Sequence, residues 1–234
     1  MDRDTRLNEW FVPKFGPTGF RVFVGLLFVP YTGMCVSFAV MGSLLVSNLM
    51  WDRTVAIALI YSLALGVSAH IADSIGSKKV KPWGNYFSKK QLVVIMSLSL
   101  VAAYALGSYY IILHVPFLLI VAIAEGFFLF AYNFELFGGL FHNDFWFAVS
   151  WGSLPVLAGF MIQTNSLMLL PVLVSSATGA VSYVEIRMSR PYKQLKRTGQ
   201  TGPRVEKLEK GLKCLSVGTI LITAGMIVYR LVFG

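Results

Sequence analysis

Asp73 stands three residues after His70 at the end of an apolar segment, and Lys78, Lys79 and Lys81 follow it at once. An acid beside a run of bases at the edge of an apolar segment is where a metal-bridged anion could sit. On a helix, His70, Asp73 and Ser77 have i, i+3, i+7 spacing, project from one face and can share a ligand. The same spacing also suits a plainer role, a helix-end acid paired with Lys78 or Lys79. A second lone acid, Glu185, precedes Arg187, Arg190 and Lys193. Between these two acids, a connection without Lys or Arg carries Asn133, Glu135, His142, Asn143 and Asp144. Such a cluster could bind a metal or take an acceptor proton, or be an ordinary polar loop, since His142 and Asp144 match no standard metal spacing. Glu125 is the deepest acid, and an unpaired charge at that depth is costly. It is either functional or hydrogen-bonded to a neighbouring helix through a residue such as Ser150 or Tyr104.

These groups must be held by membrane-spanning helices. The 234 residues are 56% hydrophobic and only 13% charged, with a mean hydropathy of +0.68, outside the range of ordinary soluble domains. About 20 apolar residues cross a bilayer. Charge-free runs, divided where Gly107-Ser108, His114-Val-Pro116 and Gln163-Thr-Asn-Ser166 interrupt them, predict seven helices near 22–48, 54–76, 91–108, 112–132, 145–162, 167–187 and 212–232. A cytoplasmic or interfacial arm, 1–21, precedes a single bundle, 22–234. Lys and Arg accumulate on cytoplasmic loops. Their positions in the arm and in the second and sixth connections predict a cytoplasmic N-terminus and an outside C-terminus.

The arm carries Asp2, Asp4 and Glu9 and leads into a long apolar stretch, unlike a cleavable signal. Its Trp10, Phe11, Phe15 and Phe20, interleaved with Lys14 and Arg21, suit a segment in the headgroup layer or a solvated tail. Pro30, Pro116, Pro155 and Pro171 are placed to bend helices around a cavity. Phe127, Phe128, Phe130, Tyr132, Trp146, Phe147 and Trp151 could shelter a cation or face lipid. Cys35 and Cys214 have no zinc or redox spacing and are expected to be small core residues. The net charge of +9 lies in loops of one membrane face without a nucleic-acid motif, so anionic lipids and a phosphorylated substrate are the expected partners.

Lys81-Pro82-Trp83-Gly84-Asn85-Tyr86-Phe87-Ser88 resembles the Arg-Pro, Gly, Ser succession that follows the first aspartate-rich motif in the UbiA superfamily of intramembrane prenyltransferases. That motif, N-D-x-x-D-x-x-x-D, falls here on Ala69, His70, Asp73 and Ser77, so one acid of three remains. Ala131-Tyr132-Asn133-Phe134-Glu135 through Gly139, with Trp151-Gly-Ser-Leu-Pro155 through Gly159, looks like the family's fourth-helix end and fifth helix. The second aspartate-rich motif should lie in 182–191, where only Glu185 is acidic. The family usually has nine helices, so the resemblance implies an all-α UbiA-like bundle lacking the last two.

The resemblance further implies prenyl transfer from a prenyl diphosphate to a lipid or aromatic acceptor, with Mg²⁺ held by Asp73 and Glu185. His70, Ser77, Lys78, Lys79, Lys81, Tyr132, Arg187, Arg190 and Lys193 would bind substrate, and Glu135 or Asn133 would act at the acceptor. The positive-inside tendency alone also accounts for the basic residues. The lost acids fit a second role, an inactive scaffold binding lipid or assembling a membrane complex. A transporter is a third role, weakened by the odd helix number and the lack of clear inverted repeats.

Overall fold

The computed structural model describes residues 6–76, 83 and 86–233, and within them all regular structure is helical. Six helical stretches are long and apolar enough to cross a membrane: Thr18–Leu44, Trp51–Gly76, Lys89–Leu113, Asp144–Thr164, Leu169–Arg197 and Pro203–Phe233. The chain is a multi-pass, all-α membrane protein. A further apolar helix, Leu118–Asn133, has 16 residues, about 24 Å of rise and short of a hydrocarbon core of about 30 Å.

Several spans are interrupted. Helix α1 (Thr18–Leu26) stops at Leu27, and Phe28 takes a left-handed conformation (φ 45°, ψ 49°) before α2 (Val29–Leu44), whose first turn contains Pro30. Proline has no N–H and crowds the carbonyl four residues back, so a break falls there. The second span joins α3 (Trp51–Tyr61) to α4 (His70–Gly76) through a π-helical segment, Ser62–Ala69. After α5 (Lys89–Leu113) and α6 (Leu118–Asn133), a second π segment, Val149–Ser153, joins α7 (Asp144–Ala148) to α8 (Leu154–Thr164). Hydroxyls from neighbouring helices occupy carbonyls in these segments: Ser99 Oγ donates to Leu63 O (2.8 Å) and Thr178 Oγ1 to Gly152 O (2.8 Å). The last two helices are α9 (Leu169–Arg197) and α10 (Pro203–Phe233).

Several expected boundaries move. Gly107-Ser108 lies inside α5, because two small residues do not stop a membrane helix, and the turn comes at His114–Phe117 with Pro116. The sixth span continues ten residues past 187, through Pro191 to Arg197, which carries its last turns beyond the hydrocarbon thickness. Cys35 is buried as expected, whereas Cys214 is exposed.

The bundle is tightest where α2 crosses α8. A Cβ on Gly42 would strike the carbonyl of Val156, and one on Gly159 the carbonyl of Ala39, so the two backbones touch as small residues permit in membranes. At that end of the bundle Gln163 exchanges hydrogen bonds with the Met50 backbone (2.9 and 3.0 Å). By contrast α5 and α10 expose large apolar side chains such as Leu98, Val101 and Leu221, as lipid contact requires.

Residues 6–12 of the N-terminal arm pack against the core, unlike a solvated tail, whereas Phe15 and Phe20 are exposed. Phe11 and Val12 are buried with Leu26, Phe28, Trp83, Val205 and Leu212. Arg6 pairs with buried Glu9 (Nε and Nη2 to Oε1, both 3.0 Å), and the Tyr192 hydroxyl on α9 donates to Glu9 Oε2 (2.8 Å). Glu9→Ala is expected to undock the arm and to speed tryptic cleavage after exposed Lys14 by about 10- to 100-fold, as loss of about 1.5–3 kcal/mol of charged hydrogen bonding requires. Mass spectrometry of timed digests reads the rate, and cleavage equal to wild type would refute the docking role.

Candidate functional site

A cavity of about 580 Å³ opens at the end of the bundle where the arm docks. Most of its walls come from an interruption or an end of a helix. The α1–α2 break contributes Phe28 and Tyr31, and α4, directly after its π segment, contributes His70, Asp73 and Gly76. The end of α6 supplies Tyr132, Asn133 and Glu135, the following connection supplies His142, and the second π segment and its approach supply Phe147 and Trp151. From α9 come Glu185, Arg190, Lys193 and Arg197.

The two lone acids thus line one cavity. Glu185 is only 3% exposed, and neither it nor Asp73 forms a hydrogen bond or ion pair with another described residue. Lys193 stands two turns from Glu185 on the same side of α9 and lies in the fields of Arg6, Asp73 and Glu185. Its Nζ is 5.1 Å from the Phe28 ring centroid, and the Arg6 guanidinium is 4.9 Å from the same ring. The left-handed backbone of Phe28, strained for a residue with a Cβ, therefore holds an aromatic face among cations.

The His70 ring packs against Phe28 (centroids 4.8 Å apart, 26° between planes) and Trp151 (5.0 Å, 47°). Its Nε2 lies 3.2 Å from Thr32 Oγ1, which donates its one proton to Leu27 O (2.7 Å). The Thr32 oxygen must then accept from Nε2–H, a tautomer assigned from the network. The helix break frees the Leu27 carbonyl, so it indirectly orients His70.

Arg190 is shared. Its Nη1 is 3.0 Å from Asp144 Oδ1, and its Nη2 donates to the Tyr132 hydroxyl (3.4 Å). Arg187 does not line the cavity: two residues from Glu185 turn it about 200° around α9, its side chain is 64% exposed, and it meets Asp144 at 3.7 Å. Ser77, Lys78, Lys79 and Lys81 lie outside the described residues. The expected His70, Asp73, Tyr132, Asn133, Glu135, Glu185, Arg190 and Lys193 do come together. Sequence reasoning missed Phe28, Tyr31 and Arg197. Pro30 two residues after Phe28 was the available signal for the first, and the four-residue step from Lys193 for the last.

Glu125 lies apart from this cavity. Tyr61 donates to Oε1 (2.9 Å) and Ser150 to Oε2 (3.3 Å), so it ties α6 to α3 and to the second π segment. Ser150 is one of the two partners anticipated, while Tyr104 instead donates to the Ala122 carbonyl (3.1 Å). Among the described residues no three His, Cys, Asp or Glu side chains are grouped for a metal ion. Comparison with family models, curated proteins and solved structures finds no match.

Proposed function

We propose that the chain is a divergent UbiA-like prenyltransferase that moves an isoprenoid from a prenyl diphosphate to a lipid or aromatic acceptor at the cytoplasmic membrane face. The observation that carries this reading is the cavity shared by Asp73 and Glu185, one acid from each half of the bundle, beside Arg190, Lys193 and Arg197. Magnesium favours oxygen ligands and is commonly held by one or two carboxylates plus substrate phosphates and water. Two carboxylates without hydrogen-bond or ion-pair partners among the described residues, in a basic cavity, suit an ion that arrives with the diphosphate. When bound, it neutralises charge developing on the leaving diphosphate. Asp73 and Glu185 would hold it, while Lys193, Arg190 and Arg197 bind and cancel the remaining phosphate charge. Phe28, Phe147 and Trp151 keep water from C1 and face the allylic cation. Asn133 and Glu135 orient the acceptor.

The Lys and Arg distribution supports a cytoplasmic N-terminus, an outside C-terminus and contact with anionic lipids. A second reading, an inactive scaffold that binds lipid or assembles with membrane partners, is favoured by the single carboxylate left on each side. Protein in phosphatidylglycerol vesicles with Mg²⁺, labelled farnesyl and geranylgeranyl diphosphates and a pool of glycerolipids and phenols separates the two. The expected result is diphosphate release falling about 100-fold or more in Asp73→Asn, the scale for loss of a positioned charge. Release that is absent, or equal in the two proteins, removes the enzyme, and bound but unconverted donor then supports the scaffold.

A further inference from the structure

The geometry points to His142 as the general base that takes the proton of a hydroxyl-bearing acceptor, an inference that rests on the prenyl-transfer reading. His142 lines the cavity, and its Nδ1 lies 2.8 Å from the Tyr132 carbonyl oxygen. A carbonyl only accepts, so Nδ1 carries the proton and Nε2 of the neutral ring carries the lone pair. No described residue hydrogen-bonds Nε2. The ring stacks on Tyr132 (centroids 4.5 Å, 31°), whose hydroxyl accepts from Arg190, so the base is oriented through its other nitrogen by a wall that Arg190 also braces.

The connection is wound to put it there. Leu136 N–H bonds to Ala131 O (3.1 Å) and Glu135 N–H to Tyr132 O (3.3 Å), a Schellman closure of α6 that places Glu135 at the left-handed position (φ 49°) where glycine is usual. Phe137, Gly138 and Gly139 are also left-handed, and His142 N–H closes the loop on Gly139 O (2.9 Å). A non-glycine residue at such a cap is the kind of strain found at functional sites. The two histidines of the cavity differ. His70 is packed against two rings and its Nε2–H is engaged, whereas His142 lines the cavity with no described partner on Nε2.

In the step assigned here, the bond from donor C1 to its diphosphate oxygen breaks and the electron pair leaves with diphosphate. A lone pair on the acceptor oxygen forms the new C1–O bond, and the hydroxyl proton passes to Nε2 of His142. The acceptor class is therefore an alcohol or phenol.

The test uses the full chain in phosphatidylglycerol vesicles with Mg²⁺, labelled geranylgeranyl diphosphate and 4-octylphenol, with 4-octylanisole as the probe that lacks the proton. Wild type is expected to form the ether from the phenol only. His142→Ala should cut that transfer about 100-fold, the usual scale for loss of a general base, with the KM for donor unchanged. Added imidazole should restore part of the rate. His142→Gln, whose amide N–H can keep the bond to the Tyr132 carbonyl, serves where the alanine variant unfolds early. Transfer within threefold of wild type in the folded variant overturns the role of His142 and leaves prenyl transfer standing. A wild type that releases no diphosphate overturns both.

Discussion

Glu185→Gln is expected to lower Mg²⁺-dependent diphosphate release about 1,000-fold, close to 4 kcal/mol at the transition state. The amide keeps the shape of the buried side chain and removes its charge. It leaves Lys193 facing the cavity without the compensating carboxylate on its own helix, and it gives up one of the two acids assigned to a diphosphate-bridged cation. Because Glu185 makes no hydrogen bond to a described residue, the change should leave thermal unfolding within a few degrees of wild type. The measurement is a Mg²⁺ titration of diphosphate release at saturating donor, paired with thermal unfolding in the same detergent. A rate close to wild type would mean that the cavity is not where chemistry happens, and an equally large drop in unfolding temperature would make Glu185 a structural residue.

The second large effect concerns the fold itself. Gly159→Val places a Cβ against the carbonyl of Ala39 and 2.9 Å from the backbone nitrogen of Ser43, so α2 and α8 must separate, because backbone atoms cannot move aside by changing rotamer. Overpacking of this kind costs about 3 kcal/mol, and at about 2–4 °C per kcal/mol for a chain of this size the unfolding midpoint should fall by roughly 6–12 °C. Ser43 Oγ also donates to the Gly159 carbonyl (2.9 Å), and that bond would be stretched in the same motion. Gly218→Ala is the control, since a Cβ there meets nothing within 4 Å and alanine is the better helix former. Equal midpoints for the two variants would refute backbone contact at the α2–α8 crossing.

Much of this arrangement is legible in the sequence for one reason: a charge in an apolar run is expensive, so Asp73, Glu185 and Glu125 stand out before any fold is known. Their helices follow from length alone, and the expected second and fifth spans differ from the observed ones by at most three residues at either end. What failed to show has equally physical causes. In a membrane helix every face is apolar, so the phase shift introduced by the π segments 62–69 and 149–153 leaves no mark on the hydrophobic pattern, although those segments set the direction of His70 and Trp151. Arg187 stands near Arg190 and Lys193 in sequence, whereas helical phase sends it to the outer side of α9. The closure of α6 was hidden because Glu135 occupies a position where glycine would have announced it. The docking of the arm was hidden too, since Glu9 and Tyr192 are 183 residues apart and no local pattern joins them.

That last separation has a consequence for how the protein is made. Residues 6–12 are translated well before the surfaces that receive them, Tyr192 on α9 and Val205 and Leu212 on α10. Contacts this distant in the chain form late, so residues 6–12 must wait until α9 and α10 have been inserted. The Arg6 guanidinium that stacks on Phe28 arrives with them, and the mouth of the cavity takes its finished charge only after both helices are in place.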